Sequence, residues 1–115
     1  MKGTFEVSKA SDGRFMFNLK AANHEVILTS QMYESKQSAQ DGIASVRENA
    51  VLSGQFEELV GTDGRPYFVL HAANKQVIGR SEMYSSPEAM RKGIQSVKTN
   101  APDAEIRDLS LQAHA

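Results

Sequence analysis

The chain contains the same pattern twice, at a constant offset of 51 residues. Residues 20–33 read KAANHEVILTSQMY, and residues 71–84 read HAANKQVIGRSEMY. The two copies align without gaps, residues 5–50 onto residues 56–101. Two copies are too few for a solenoid. We therefore expect a pseudo-twofold pair that shares one hydrophobic core, because one copy alone buries too little apolar surface to offset its chain entropy.

Three strands followed by one helix are predicted in each copy. Apolar and polar residues alternate in the second strand, which is typical of a strand with one buried face. An Asp-Gly pair precedes that strand in both copies and is a two-residue hairpin signal. Asn23 and Asn74 are predicted to turn the chain into the third strand, since Asn tolerates the left-handed conformation. The predicted strands lie at residues 4–9, 14–20 and 25–30, and again at 55–60, 65–71 and 76–81.

A helix follows the three strands of each copy. Ser35 and Ser86 are predicted to be the N-caps, and Pro87 suits the first helical turn. An interior glycine weakens a helix by about 0.5–1 kcal/mol relative to alanine. Gly42 and Gly93 both lie on the apolar face, which predicts that the helix backbone approaches the sheet closely there. The apolar residues at helical spacing are Ala39, Ile43, Val46 and Ala50, and then Met90, Ile94, Val97 and Ala101.

The element order predicts an α+β fold with one antiparallel sheet and two helices packed on one face of it. A short last strand is expected at residues 104–109. We expect a single domain built from two repeats, at about residues 3–52 and 54–109, with a disordered tail at residues 110–115.

The repeated motifs resemble those of the YegP-like family of uncharacterised bacterial proteins. The resemblance covers residues 3–108 and is carried by FEVSKASDGRFMFNLKAANHEVILTSQMY, by GIASVREN and by their second copies. It implies two β-β-β-α-β repeats in one sheet, with the closing strands exchanged between repeats, and single-repeat members that form the same object as dimers. The family pattern often has Asn-Gly where this chain has Asn23-His24 and Asn74-Lys75, which weakens the ideal hairpin turn. The resemblance brings no established activity and no catalytic residues.

The composition narrows the classes of function. The formal net charge is −1 and gives no concentrated positive field for nucleic acid or anionic lipid. Cysteine is absent, and no apolar run approaches the length that spans a bilayer. The first residues, MKGTFEVSKASDG, lack the apolar region of a secretory signal. We therefore expect a cytoplasmic protein, and a monomer because two repeats complete the fold.

Catalytic and metal-binding patterns are not found in the sequence. His24, His71 and His114 have no metal-ligand spacing. No serine stands in a Gly-x-Ser-x-Gly motif, and adjacent Glu57 and Glu58 are expected on opposite faces of a strand, where they cannot act together as acid and base. We expect no enzyme activity, no cofactor and no metal site.

Two further residue pairs leave alternatives open. Arg14 and Arg65 could bind an anion or serve as cross-strand partners of acidic neighbours. Tyr33 and Tyr84 could line a pocket for a small ligand where the repeats meet, or close the ends of the core.

The candidate binding surface is the sheet face that the helices leave uncovered. An amphiphilic row there predicts contact with a protein or self-association, although strand propensity alone also explains such residues. Nucleic-acid binding through base stacking on the sheet is the alternative, but it is not favoured because we expect only one aromatic residue on this face. The predicted surface residues are Met16, Asn18, Lys20, Tyr67, Val69 and His71.

Overall fold

A computed structural model of the chain describes residues 3–112. The strands are β1 (Thr4–Lys9), β2 (Phe15–Lys20), β3 (Val26–Thr29), β4 (Phe56–Val60), β5 (Pro66–His71), β6 (Val77–Arg80) and β7 (Glu105–Asp108). The helices are α1 (Lys36–Asn49) and α2 (Pro87–Asn100). Short 3-10 helices lie at Ser53–Gln55, Ala101–Asp103 and Leu109–Gln112. The last of these includes the first residues of the predicted tail, and residues 113–115 lie outside the described part.

All seven strands form one sheet in the order β4-β5-β6-β3-β2-β1-β7. The pseudo-twofold axis passes between β3 and β6, where Thr29 pairs with Arg80. The predicted α+β fold with two repeats in a single sheet is confirmed. The sheet is mixed rather than purely antiparallel, because β7 follows the crossover through α2 and enters the sheet parallel to β1.

The predicted exchange of closing strands occurs in one direction. β7 belongs to the second repeat and closes the first repeat beside β1. At the offset of the repeat, its counterpart is residues 54–57, which form the end of a 3-10 helix and the start of β4. Within residues 3–112, β4 therefore pairs only with β5 and forms one edge of the sheet.

The hairpin loops contain three residues, not the two that Asp-Gly alone predicts. Ala10 N–H donates to Arg14 O at 2.7 Å, and Gly13 N–H donates to Ala10 O at 3.0 Å. Gly13 ends the loop with a φ of 90°. This is a tight turn followed by one left-handed residue, for which glycine has no steric cost. Gly64 repeats the arrangement with a φ of 85°.

The next hairpin of each repeat uses the same turn without glycine. His24 N–H donates to Ala21 O at 2.9 Å, and His24 has a φ of 70°. Lys75 is equivalent and has a φ of 71°. The prediction that the asparagines adopt the left-handed conformation is wrong, because Asn23 precedes that position and instead accepts a bond from Glu25 N–H through its Oδ1 at 3.1 Å. The side chains of His24 and Lys75 thus stand where the family pattern has glycine.

Both helices pack on one face of the sheet, with the serine caps in the predicted places. Ser35 Oγ accepts a bond from Ser38 N–H at 3.0 Å, and Ser86 Oγ accepts one from Ala89 N–H at 3.1 Å. The predicted apolar helix residues are buried in both copies. The largest fully buried side chains are Phe5, Val7, Phe17, Leu19, Leu28, Ile43, Val46, Phe68, Leu70 and Val97.

The helix glycines make room for tyrosines. A Cβ added to Gly42 would lie 2.7 Å from Tyr33 Cζ and still closer to its hydroxyl oxygen. The Tyr33 ring stacks on Phe17, with ring centroids 6.1 Å apart and planes 11° from parallel. Gly93 and Tyr84 repeat this contact. The close approach predicted at the glycines therefore exists, but the nearest neighbour is a phenol and not the backbone of the sheet.

Candidate functional site

The six predicted surface residues lie on the sheet face opposite the helices, in two separate strips. On β5, Phe68 and Leu70 are fully buried against the helices, so alternation turns Tyr67, Val69 and His71 to the other face. Met16, Asn18 and Lys20 do the same on β2. β3 and β6 separate β2 from β5, so the six residues do not form one continuous row.

Apart from Met16, the strip on β2 is polar, and its polar residues bond to the neighbouring strands. Lys20 Nζ lies 3.0 Å from Glu6 Oε1 on β1. Thr29 Oγ1 on β3 donates to Asn18 Oδ1 at 2.8 Å. These bonds link neighbouring strands across the face, as cross-strand pairs commonly do. A partner that bound here would have to compete with them.

The strip on β5 is more apolar, and one of its predicted members is not accessible. Val69 is only 4% exposed. Its cross-strand neighbours are Glu57 on β4 and Arg80 on β6, whose long side chains lie on either side of it. The Arg80 guanidinium also lies over the ring of half-buried Tyr67, 5.6 Å from its centroid. Val69 is thus shielded by these side chains, and a contact through it stays a prediction, whereas Tyr67 and His71 are accessible.

His71 takes part in two polar contacts at the end of β5. Its Nε2 lies 2.7 Å from Glu57 Oε1, and its Nδ1 lies 3.0 Å from Lys75 O. The hydrogen bond with the Glu57 carboxylate, and secondarily that with Lys75 O, raises the pKa of His71 above its ordinary value. Both contacts join His71 to neighbouring groups at the exposed end of β5.

Leu59 belongs to this surface, although it was not among the predicted residues. It pairs with Tyr67 across β4 and β5 and therefore shares its face. The equivalent residue in the first repeat is Ser8, and the equivalent of Val69 is Asn18. A comparison of the two copies at the repeat offset could have found this change. We refer to Leu59, Tyr67, Val69 and His71 as the β4–β5 strip.

The β4–β5 strip adjoins an open edge of the sheet. Gly61 N–H donates to Arg65 O at 2.8 Å, and because bonded and non-bonded pairs alternate in an antiparallel ladder, Glu57 and Leu59 also bond to β5. Phe56, Glu58 and Val60 then turn their backbone N–H and C=O groups outward. Val60 is 70% exposed. We refer to β4 and these outward groups as the β4 edge.

A cavity lies where the two repeats meet. It has a volume of about 250 Å³ and includes Glu25 and Ile27 from the first repeat with Tyr84 and Lys92 from the second. Burial raises the pKa of the Tyr84 hydroxyl, with a smaller contribution from nearby carboxylates. Tyr33 packs against the core in its own repeat. Small-ligand binding in this cavity stays a prediction.

Two serines, one in each repeat, bind the backbone of the sheet. Ser30 Oγ and Ser81 Oγ accept bonds from the N–H groups of Phe17 and Phe68, at 2.9 and 3.0 Å. No three His, Asp or Glu side chains come together as metal ligands within residues 3–112.

Arg14 and Arg65 bind acidic residues of their own turns, and not of a neighbouring strand. Arg14 Nε lies 2.8 Å from Asp12 Oδ2, and Arg65 Nε lies 2.7 Å from Asp63 Oδ2. The bonds from the arginine backbone and side chain lower the pKa of both aspartates. Neither helix in the described part of the chain has the length and apolar character that a membrane crossing requires.

Two segments of the chain, residues 10–55 and 62–108, match the family model described as "Domain of unknown function (DUF1508)". A UPF0339 protein of Bordetella pertussis is 56% identical over 108 residues, which cover 94% of this chain and 96% of that protein. UPF0339 protein YegP of Escherichia coli is 48% identical, over 94% of this chain and 98% of that protein. The solution NMR structure of UPF0339 protein SO3888 from Shewanella oneidensis has a TM-score of 0.92 and 46% identity, over 99% of this chain and 97% of that one. The tandem repeat and the resemblance to YegP-like proteins are therefore confirmed, and none of these names assigns an activity.

Proposed function

We propose that this chain, which belongs to the DUF1508 family, is a non-enzymatic interaction module that contacts another protein through the β4–β5 strip. The family description carries no activity, so the proposal is supported by the surface of the molecule. The proposal includes the expectation from the sequence that the protein acts as a single chain in the cytoplasm.

The proposal depends mainly on one observation. The two repeats have the same core residues, but they differ in polarity on the uncovered face of the sheet. Phe17 and Leu19 recur as Phe68 and Leu70. On the uncovered face, however, Ser8 of the first repeat becomes Leu59, next to Tyr67. The core does not require this exchange, because the face lies away from the helices. Apolar side chains grouped on a solvent face are typical of contact surfaces.

The surroundings of the strip fit an interface. Tyrosine combines a large apolar ring with a polar tip and is enriched where proteins meet. His71 and Glu57 provide a polar margin on one side, and Arg80 provides a cation on the other. An apolar centre with a polar margin is the usual composition of a protein–protein contact.

Affinity capture from lysate with matched variants tests the proposal. Tyr67→Glu places a charge in the strip, and Met16→Glu places the same charge at the equivalent position of the first repeat. Leu59→Ser installs the residue that the first repeat carries and is the milder second variant. Thermal unfolding of each variant checks that the fold is kept. The captured protein is then purified, and its affinity for each variant is measured.

The expected result is a protein partner that binds the wild type and Met16→Glu but loses affinity for Tyr67→Glu and Leu59→Ser. Equal binding to all four proteins would contradict the proposal. Capture that disappears after nuclease treatment and weakens steeply with salt would replace it with nucleic-acid binding. No specific capture by any folded variant would also count against it.

A further inference from the structure

We infer that the β4 edge binds an extended basic segment of a partner protein, which adds to the sheet parallel to β4 as an eighth strand. This inference deepens the proposed function and rests on it, because it names the part of the partner that is bound. The bound strand has a counterpart within the molecule, since β7 lies in the equivalent position beside β1. Addition of a strand to a free sheet edge is an established mode of peptide recognition.

The outer side of β1, which pairs with β7, can be compared with the outer side of β4, which has no partner strand in the described part of the chain. Glu105 N–H donates to Gly3 O at 3.2 Å, and Phe5 is paired with Ile106 in the parallel ladder. The outward groups of Gly3 and Phe5 therefore bond to β7. At the repeat offset they correspond to Gly54, which lies in the 3-10 helix before β4, and to Phe56, whose outward groups meet no other strand within residues 3–112. The pairing of β4 with β5 has no bulge that would twist this edge away.

Equivalent residues are less buried at the β4 edge than beside β7. Phe5 is fully buried beneath β7, whereas Phe56 is only partly buried. A Cβ added to Gly3 would meet the Asn100 side chain at 2.9 Å, but one added to Gly54 would meet nothing within 4 Å. A cavity of about 430 Å³ extends from Gly54 and Phe56 to His71 and Lys75, between the start of β4 and the hairpin after β5. The start of β4 thus has room for an incoming chain.

A cation near the edge is also repeated. The Arg47 guanidinium lies over the Phe5 ring at 5.5 Å and donates to Ala104 O, at the point where the chain enters β7. Lys98 is its equivalent, and its ammonium lies over Phe56 at 5.8 Å. The end of α2 therefore keeps a positive group beside Phe56, as the end of α1 does beside Phe5.

Charge identifies the segment that fits. Arg107 of β7 stands opposite Glu6, and the equivalent of Glu6 on the open edge is again acidic, Glu57. A basic residue is therefore favoured at this position of the bound segment. An apolar residue precedes it, opposite Phe56, as Ile106 stands opposite Phe5.

The residue after Arg107 is acidic in β7, but the corresponding residue of the bound segment is expected to be basic. Asp108 of β7 stands opposite Val7 and binds Lys36 Nζ at 2.8 Å. On the open edge, Glu58 replaces Val7 and Pro87 replaces Lys36. The Glu58 carboxylate itself lies 3.4 Å from Arg91 Nη2 of α2. An acidic residue beside Glu58 would meet a like charge and would lack the lysine that binds Asp108, so a second basic residue is favoured. The bound segment thus reads as an apolar residue followed by two basic residues.

The same charges disfavour a second copy of this chain. Its own β7 carries Asp108 at the position that faces Glu58, and it is already paired with β1. Two β4 strands placed side by side would bring four glutamates together, because each strand contributes Glu57 and Glu58. Like charges on facing strands oppose pairing.

Peptides based on residues 101–109 test the inference. One has the native sequence, and the other carries Asp108→Lys. Each is titrated into the isotopically labelled full chain while the amide NMR signals are followed. The Asp108→Lys peptide is expected to shift the amides of Phe56 and Glu58 and to bind about fivefold more tightly than the native peptide, the factor of one exposed ion pair.

Backbone methylation provides a matched control. In the parallel ladder the N–H of Arg107 faces the sheet and that of Ile106 faces away. N-methylation of the Asp108→Lys peptide at Arg107 is expected to abolish binding, and N-methylation at Ile106 to leave it intact. Glu58→Lys in the protein should make the native peptide the tighter ligand.

Three outcomes would overturn the inference. They are no binding up to the solubility limit of the peptide, shifts on β1 in place of β4, and equal effects of the two methylations. The proposed function is tested separately, by the binding of the captured partner to the variants. If Tyr67→Glu loses that partner while Glu58→Lys keeps it, the strip is the interface and the β4 edge is not. If both keep the partner, the proposed function fails as well.

Discussion

Gly42→Ala is expected to destabilise this protein, although alanine is the better helix former. In an unobstructed helix interior the change would stabilise by about 1 kcal/mol. Here the new Cβ would lie 2.7 Å from Tyr33 Cζ and 3.1 Å from Phe17 Cε2. Tyr33 cannot move into the core, because its ring already stacks on Phe17. Overpacking costs about 1–3 kcal/mol, and contacts this short belong in the upper part of that range, so the expected net loss is roughly 1–2 kcal/mol.

Urea denaturation followed by circular dichroism measures this loss as a change in the free energy of unfolding. Gly54→Ala is the matched control, because an added Cβ meets nothing within 4 Å there, and its stability should be unchanged or slightly raised. Tyr33→Phe removes the atom nearest to the new Cβ and should recover part of the loss in the Gly42→Ala background. A Gly42→Ala protein at least as stable as the wild type would refute the packing account.

Three further predictions concern the turns and the titratable groups. His24→Gly and Lys75→Gly should each raise the free energy of unfolding by about 0.5–1 kcal/mol, because the φ near 70° is strained for these residues; urea denaturation would show no gain if the strain is absent. The hydrogen bond from Lys36 lowers the pKa of Asp108, so its contribution to stability is present above the ordinary pKa near 3.8 and is lost as the pH falls; acid unfolding of Asp108→Asn should depend less on pH than that of the wild type. The raised pKa of His71 has the opposite consequence. The contribution of His71 to the free energy of unfolding is present below about pH 6.5 and is lost as the pH rises through the raised pKa. A His71→Gln protein whose stability depends on pH as that of the wild type does would contradict this.

The repeat and the hydrophobic pattern were sufficient to predict most of the fold. The strand and helix positions follow from local periodicity, and the serine caps follow from residue type alone. The direction of β7 could not be derived in this way, because its pairing with β1 joins residues about one hundred positions apart in the chain. The left-handed residues were misplaced by one position, since the turn is defined by its hydrogen bonds and not by the asparagine alone.

The candidate surface was predicted less completely than the fold. Alternation placed Tyr67 and Val69 on the correct face, but it could not show that Glu57 and Arg80 cover Val69. Leu59 was missed because a single residue on a short strand gives no periodic signal. The β4 edge depends on which strands become neighbours, and this is settled only when both repeats and β7 have taken their places in the sheet.

The central claim is that a strand covers β1, whereas no strand covers its equivalent, β4. Hydrogen exchange of the backbone amides tests this claim most directly. The amides of Phe5 and Val7 face β7, and the equivalent amides of Phe56 and Glu58 face outward. In the free protein, we predict slow exchange for the first pair and fast exchange for the second. Addition of the Asp108→Lys peptide should slow exchange at Phe56 and Glu58 alone. Equal protection of both pairs in the free protein would contradict the account.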